Sequence, residues 1–478
     1  MSGDKYVIGF GSNYFRLFGE CEEYNVPHEN NRECCNLKVV IPNILPPNLM
    51  KEEKNLEEEI SKKEIESLLH ATSGISQIEV GATSITVLRD DCDGSNENAI
   101  YSIGTLFGCT HKVPTPLPTR LPLKCTKIAA GRRHVLALME GGQIVMSWGS
   151  DHFGQLGHGS NATVIDTPKI IKGLLPMYVG GHVSDIAAGG LHSAAIVSLA
   201  ATVQQVFTWG FNNKNQCGME SGKSNYEPYP QPVHGLPPPG ACTYRKLALG
   251  KLHSVALTNS GVVYSWGSTT FGRCGFPLRS GIGKQKFISL PKKVEGSLAN
   301  EVVNDIASGA KHTLALTESK KVYSWGCGED GQLGHGVAIK KIDYPKRIID
   351  LDFTNTDKHS KNTYIQSVHA GGNYSAALTN SNDLYTWGYG NAGQLGHVPD
   401  TTDSSLLPII ESTLSSTFED QIGDSKAFLS DYNALLPKRL KCVRDAGLGV
   451  NAVSCGPSNL ILICSKDDEH NQKTSFKR

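Results

Sequence analysis

Ser147-Trp148-Gly149 runs on to Gly154-Gln155-Leu156-Gly157-His158. The same phrase returns as Ser324-Trp325-Gly326 with Gly331-Gln332-Leu333-Gly334-His335, and as Thr386-Trp387-Gly388 with Gly393-Gln394-Leu395-Gly396-His397. The chain has five tryptophans, Trp148, Trp209, Trp266, Trp325 and Trp387. Each precedes a glycine, and they stand 61, 57, 59 and 62 residues apart. A fixed period of this length marks one supersecondary unit per repeat, each burying its apolar face against its neighbours.

Upstream of each tryptophan lies a second signature. Gly131-Arg132-Arg133-His134, Gly189-Gly190-Leu191-His192, Gly250-Lys251-Leu252-His253 and Gly309-Ala310-Lys311-His312 share it, and Gly371-Gly372-Asn373-Tyr374 keeps the frame with Tyr for His. The 16 to 20 residues from this glycine to the next tryptophan fit one tight β-hairpin. One unit is degenerate: Gly81 leads to Ile100-Tyr101-Ser102-Ile103-Gly104, with Ile103 at the tryptophan position. The two ends are complementary halves. Val7-Ile8-Gly9-Phe10-Gly11 is a Trp-Gly half with Phe10 for Trp, and Cys455-Gly456-Pro457-Ser458-Asn459 is a Gly-x-x-His half with no Trp-Gly after it. Five full units, one degenerate unit and two halves make seven.

An open all-β array would leave unpaired strand edges, and radial closure removes them. The reading is therefore all-β: a seven-bladed β-propeller closed by N-terminal strands completing the last blade, with helical or irregular loop inserts. It predicts a single domain over 1–465, inserts at about 20–75 and 398–450, and a polar tail over 466–478.

Forty-six basic and 46 acidic residues leave no net charge, so no global field draws the chain to nucleic acid or an anionic membrane. No apolar run is long enough to span a bilayer, and Met1–Tyr6 carries no apolar signal region. Thirteen cysteines fit a reducing compartment better than a disulfide framework. Nucleus or cytoplasm is the expected location.

The repeated residues resemble the regulator of chromosome condensation family: Gly-x-x-His, then Tyr-Ser-Trp-Gly, then Gly-Gln-Leu-Gly-His, over about residues 5–465. The resemblance is to its short single-propeller members and is specific for fold. It says less of function, because one fold hosts many sites. It implies a propeller that binds proteins, and the family includes an exchange factor for the small GTPase Ran that docks on chromatin. It also includes a plant ultraviolet receptor, which needs extra tryptophans in the Gly-x-x-His strands. Here those positions hold Arg132, Gly190, Lys251 and Ala310.

Architecture accounts for the recurring residues. Trp148, Trp209, Trp266, Trp325 and Trp387, with Phe10 and Ile103, are expected to pack blade against blade. Burying roughly 200 Å² apiece, each tryptophan contributes roughly 5 kcal/mol as an upper-bound transfer term. His134, His192, His253 and His312 read as buried residues holding tight turns rather than a ring of metal ligands, since a propeller sets equivalent positions in separate blades. His158, His335 and His397 read as turn-locking donors. Cys21, His28, Cys34 and Cys35 lack regular zinc spacing. Arg273, Arg279, Lys284, Lys286, Lys292 and Lys293 make a locally basic stretch read as a solvated loop. No nucleophile has a base at recognisable spacing, so the expectation is a non-enzyme without cofactor or metal.

Function is sought where the period fails. From the tryptophan position to the next Gly-x-x-His glycine takes 41, 41, 43 and 46 residues in ordinary units, but 71 after Phe10 and 69 after Trp387. The first excess includes Lys51–Ile60, charged and with partial helical spacing continuing to Leu69. The second holds Leu406, Leu407, Phe418 and Phe428. Long loops on a rigid scaffold are where binding residues concentrate. The expectation is that both inserts leave equivalent connections and form one platform for a protein partner, a chromatin-associated protein or small GTPase, on a monomeric scaffold. The alternative is guanine-nucleotide exchange on a Ran-like GTPase, for which Asp151, Glu329 and Asp330 are the first loop acids to test.

Overall fold

The computed structural model describes residues 5–12, 34–40, 75–116 and 123–466, apart from breaks of which the longest are 90–98, 278–285, 354–362 and 398–432. Seven four-stranded antiparallel sheets result. Blade 1 is Ile75–Val80, Ser84–Arg89, Ala99–Leu106 and Cys109–Pro116; blade 2 is Cys125–Ala130, His134–Met139, Val145–Ser150 and Val164–Ile170. Blade 3 is His182–Ala188, His192–Ala200, Val203–Phe211 and Tyr226–Pro232; blade 4 is Tyr244–Leu249, His253–Thr258, Val263–Ser268 and Phe287–Lys293. Blade 5 is Val303–Ser308, His312–Thr317, Val322–Gly328 and Ile339–Arg347; blade 6 is Ile365–Ala370, Tyr374–Thr379, Leu384–Gly388 and Ala434–Arg439.

Blade 7 joins the two ends of the chain: Leu448–Cys455 and Asn459–Lys466 pair onward with Lys5–Ser12 and Cys34–Val40. The closing register runs from Lys5↔Ser465 to Gly11↔Asn459. The innermost strand of each blade touches that of the next, and Leu448–Cys455 touches Ile75–Val80, so the ring is complete.

The second strand of each blade from 2 to 6 is buried on both faces, as its apolar run requires, whereas outermost strands such as Val164–Ile170 are largely exposed. All five tryptophans are at most 1% exposed. Each of four lies on a glycine of the preceding blade: a Cβ on Gly157, Gly218, Gly275 or Gly334 would come within about 3 Å of Trp209, Trp266, Trp325 or Trp387. Phe10 lies on Gly396 in the same way and is 3% exposed. It therefore occupies the tryptophan position of blade 7. Ile103 pairs with Ile85 as Trp148 pairs with Val135, which gives it the same register in blade 1.

Because the strands alternate in direction, the connections between strands one and two and between strands three and four leave at one end of every blade. We call this end the upper face. Hairpins between strands two and three, and the passages between blades, leave at the lower face. The excess after Phe10 divides accordingly, because the strand Cys34–Val40 sits inside it. Residues 13–33 connect at the upper face, as do residues 389–433 in blade 6, whereas 41–74 connect at the lower. The expected single platform is corrected only on this point of topology. Lys51–Leu69 lies outside the described residues, and the strands flanking it, Cys34–Val40 and Ile75–Val80, are joined as one blade to the next, a different connection from that spanned by 389–433. The second expected insert, 398–450, contains the strand Ala434–Arg439 and the short helix Lys441–Asp445.

Candidate functional site

Repeated polar residues join the blades. The Gln155 carbonyl accepts from Trp209 Nε1 (2.9 Å) and from Ser193 Oγ (2.8 Å), both in the next blade. Gln216 accepts likewise from Trp266 and Ser254, and Gln332 from Trp387 and Ser375. The histidines complete the junction. Nε2 of His134, His192, His253 and His312 lies 2.8–3.0 Å from the hydroxyl of Ser193, Ser254, Thr313 and Ser375. Each hydroxyl already donates its proton to a carbonyl, so the imidazole must donate through Nε2, and its burial favours the neutral ring. Burial holds it so, lowering His134 to about 4 and His192 and His312 to about 3. These histidines are structural, as expected, but their bond crosses to the neighbouring blade rather than closing their own turn. His158, His335 and His397 do lock the turns of their own blades, onto Ser147, Ser324 and Thr386.

Blade 4 departs from this pattern. Gly272-Arg273-Cys274-Gly275 stands where blades 2, 5 and 6 have Gly-Gln-Leu-Gly and blade 3 has Asn215-Gln216-Cys217-Gly218. The Arg273 carbonyl still accepts from Trp325 Nε1 (3.0 Å) and Thr313 Oγ1 (3.1 Å). Its guanidinium, however, is a cation in a residue only 3% exposed. Nε donates to the Thr270 carbonyl (2.9 Å) and Nη1 to the Ala310 carbonyl (3.2 Å) of blade 5. Elsewhere around the axis the upper-face loops are tied by backbone bonds, such as Arg132 N to Gly189 O and Gly190 N to Gly250 O. Between blades 4 and 5 the arginine side chain makes that link.

Three more groups gather round it. The Phe271 ring has Arg273 Cζ at 5.7 Å and Lys311 Nζ at 4.9 Å from its centroid. Phe271 is held at φ 64°, a left-handed conformation costly for an aromatic residue. Lys251 is exposed, yet its amine is lowered first by desolvation and then by the charges of Arg132, Lys311 and Arg273. Four cations thus share one field at the upper end of the axis. Among the described residues none of the four forms an ion pair with a carboxylate.

The sequence-chosen acids fare differently. Asp151 is 5% exposed, and its Oδ1 accepts from Leu156 N (2.9 Å). It shapes its own loop and presents no surface to a partner, which corrects its place among contact residues. Glu329 is exposed beside Cys327, and half-buried Asp330 is raised by burial while Lys311 opposes the shift. Leu406, Leu407, Phe418 and Phe428 lie outside the described residues. The basic stretch is not one patch: Arg273 is buried at the upper face, Lys292 and Lys293 lie on the outermost strand, and Arg279 and Lys284 lie outside the described residues. Sequence reasoning missed the grouping of Arg273 with Arg132, Lys251 and Lys311. The signal was available, since Arg273 breaks the Gly-Gln-Leu-Gly phrase. No helix among the described residues is long and apolar enough to cross a membrane.

Residues 3–360 match the RCC1-like domain, and residues 365–394 and 381–422 match the regulator of chromosome condensation (RCC1) repeat. The chain is 30% identical over 305 residues to the ultraviolet-B receptor UVR8 of Arabidopsis thaliana, which covers 64% of this chain and 62% of the receptor. It is 35% identical over 218 residues to the human E3 ubiquitin-protein ligase HERC2, 45% of this chain but 4% of the ligase. It therefore spans less than two thirds of either relative. Among solved structures, human WBSCR16 is similar over 98% of this chain and 100% of its own, at 17% identity and a TM-score of 0.66. Prp20p of Saccharomyces cerevisiae is similar over 100% of this chain and 95% of its own, at 19% identity and a TM-score of 0.66. These two likenesses show the fold.

Proposed function

The chain belongs to the RCC1-like propeller family, and we propose that it serves as a non-enzymatic scaffold binding protein partners through its upper face, in the nucleus or cytoplasm. What supports the reading is the concentration of departures from the repeat on that face. The arginine in place of glutamine, the four cations that form no ion pair among the described residues and the 45-residue connection 389–433 all belong to it. The lower-face hairpins between strands two and three of blades 2 to 6 are, by contrast, short. Deleting residues 400–430, which spares the strand Ala434–Arg439, from the otherwise full chain and then quantifying co-purified proteins tests the scaffold. Loss of specific partners is expected, and an unchanged inventory would reject this face as the docking surface.

A second reading, guanine-nucleotide exchange, draws on Glu329 and Asp330, which stand on the same face beside Lys311. The solved structure of Prp20p is described together with binding to Gsp1p and histones. Release of a fluorescent guanine nucleotide from a Ran-like GTPase separates the two readings. The scaffold reading expects no acceleration over the GTPase alone.

A further inference from the structure

We propose that the upper mouth of the axis, formed by Arg132, Lys251, Phe271, Arg273 and Lys311, binds an extended, carboxylate-rich segment of a partner protein. The inference rests on the scaffold reading and adds the partner's chemistry to it.

The repeat itself does not call for a cation at this junction. Blades 2, 3 and 5 make the same junction with neutral Gln155, Gln216 and Gln332, and blade 6 has Gln394 at that position, all fully buried. A cation buried without a counter-charge costs stability, and carbonyl acceptors offset only part of that cost. Among the described residues Arg273 is such a cation, held in place by the Thr270 and Ala310 carbonyls. Lys251 is desolvated and crowded by three like charges. An anion seated among the four would relieve both defects. The left-handed Phe271 holds its ring where it meets both Arg273 and Lys311, which fits a conformation retained for binding.

The spread of the cations selects the ligand. They come from the inner loops of blades 2, 4 and 5, and blade 3 contributes only Gly190 between Arg132 and Lys251. A Cβ on Gly190 would stand 3.0 Å from Lys251 Cα, so the glycine keeps the arc low. A single phosphate cannot reach groups on loops of three blades, whereas a chain bearing several carboxylates can. A nucleic-acid strand needs a continuous basic track. Here the track ends at Lys311, with Asp330 and exposed Glu329 beyond it.

The test is fluorescence anisotropy with the full chain and a labelled decapeptide alternating glutamate and serine. Its glutamine counterpart, inorganic phosphate as competitor and a single-stranded oligonucleotide complete the set. Saturable, salt-sensitive binding of the glutamate peptide is expected, with no binding of the glutamine peptide and poor competition by phosphate. K251E/K311E should weaken it by about tenfold or more. The milder K251Q/K311Q should give a smaller loss, and K293E on the outermost strand of blade 4 none. Thermal melting confirms that each variant is folded, and K251Q/K311Q carries the test if the reversal is not. Absence of binding by the folded wild type, equal binding by both lysine variants, or tighter binding of the oligonucleotide would each overturn the proposal. Partners recovered equally with wild type and K251E/K311E would leave the scaffold reading standing while this one fails.

Discussion

Two levels of the ring, five residues apart in every blade, treat charge in opposite ways. At the lower level, blades 2 to 5 present Lys127, Asp185, Lys246 and Asp305 from their innermost strands. The signs alternate, and each lysine pairs with the aspartate one blade on; Lys246 to Asp305 is 2.7 Å. At the upper level the same blades present Arg132, Gly190, Lys251 and Ala310. The cations recur, but the acids are replaced by residues without charge. Adjacent innermost strands splay from the axis and cannot zip backbone to backbone, so side chains must join them. Gln77 does this for blades 1 and 2, donating to the Ile128 carbonyl (2.7 Å) and accepting from its N–H (2.9 Å). The lower level is thus committed to holding the ring. The upper level has loop-to-loop backbone bonds, with the Arg273 side chain standing in between blades 4 and 5, and the side chains of Arg132 and Lys251 form no ion pair among the described residues.

That contrast breaks if the lower level proves dispensable. Asp305 is the most demanding case, because its carboxylate joins three blades: Oδ1 accepts from Lys246 Nζ and from Ile306 N, and Oδ2 from Val368 N (3.1 Å). Asp305→Ala leaves two buried N–H groups and a lysine without their acceptor. It is expected to cost about 2–4 kcal/mol, read from chemical denaturation. A loss within error would mean that the innermost strands hold together without these links.

The junctions one layer out should respond less. Ser254→Ala removes the acceptor of His192 Nε2–H and one of the two donors to the Gln216 carbonyl, at an expected cost of about 1–2 kcal/mol. The neighbouring bond from Trp266 Nε1 survives, which is why the effect is smaller. Restoring the hydroxyl with Ser254→Thr, the residue found at the equivalent Thr313, should recover most of the loss.

Acid weakens the same junctions. His134 is lowered to about 4 and His192 and His312 to about 3, whereas an unfolded histidine titrates near 6.5. Between those values the unfolded chain binds more protons than the folded one, so stability rises with pH across the window and is lost as pH falls below about 6.5. Glu79 works the other way. Burial raises it to about 7, so the folded state keeps a proton that an unfolded glutamate sheds above about 4.5, and its contribution declines as pH rises. The histidines outnumber it. The expected profile is a melting temperature that falls from pH 6.5 to pH 4, and a flat profile would place these imidazoles in contact with water.

The same physics decides what could be read from the chain alone. Tryptophan, glycine, histidine and serine or threonine recur because each makes the same contact with the next blade, so their spacing reports the fold directly. Phe10 was legible for that reason: any large flat side chain before glycine at that register fills the place over Gly396. The outermost strands carry no part of the junction and are largely exposed, so Cys34–Val40 left no mark in the repeat. The excess after Phe10 consequently looked like one insert. The upper mouth was harder still, since Arg132, Lys251 and Lys311 stand on loops of three blades and share a field only in the folded ring. Arg273 alone announced itself, by breaking a phrase whose other copies are glutamine.

The smallest expected effect is the sharpest discriminator between the two levels. If the upper cations do not hold the fold, Lys251→Gln and Lys311→Gln should each change stability by no more than about 0.5 kcal/mol, as for ordinary surface substitutions. The sign carries the argument. Lys251 is desolvated and repelled by Arg132, Lys311 and Arg273, so losing one charge should leave the protein unchanged or slightly more stable. Added salt, which screens repulsion between exposed charges, should shrink any gain. A loss of stability instead would mean that a carboxylate such as Asp330, beside Lys311, already compensates the mouth. Measured beside Asp305→Ala in one buffer, the pair of results separates charge that builds the ring from charge the ring holds ready.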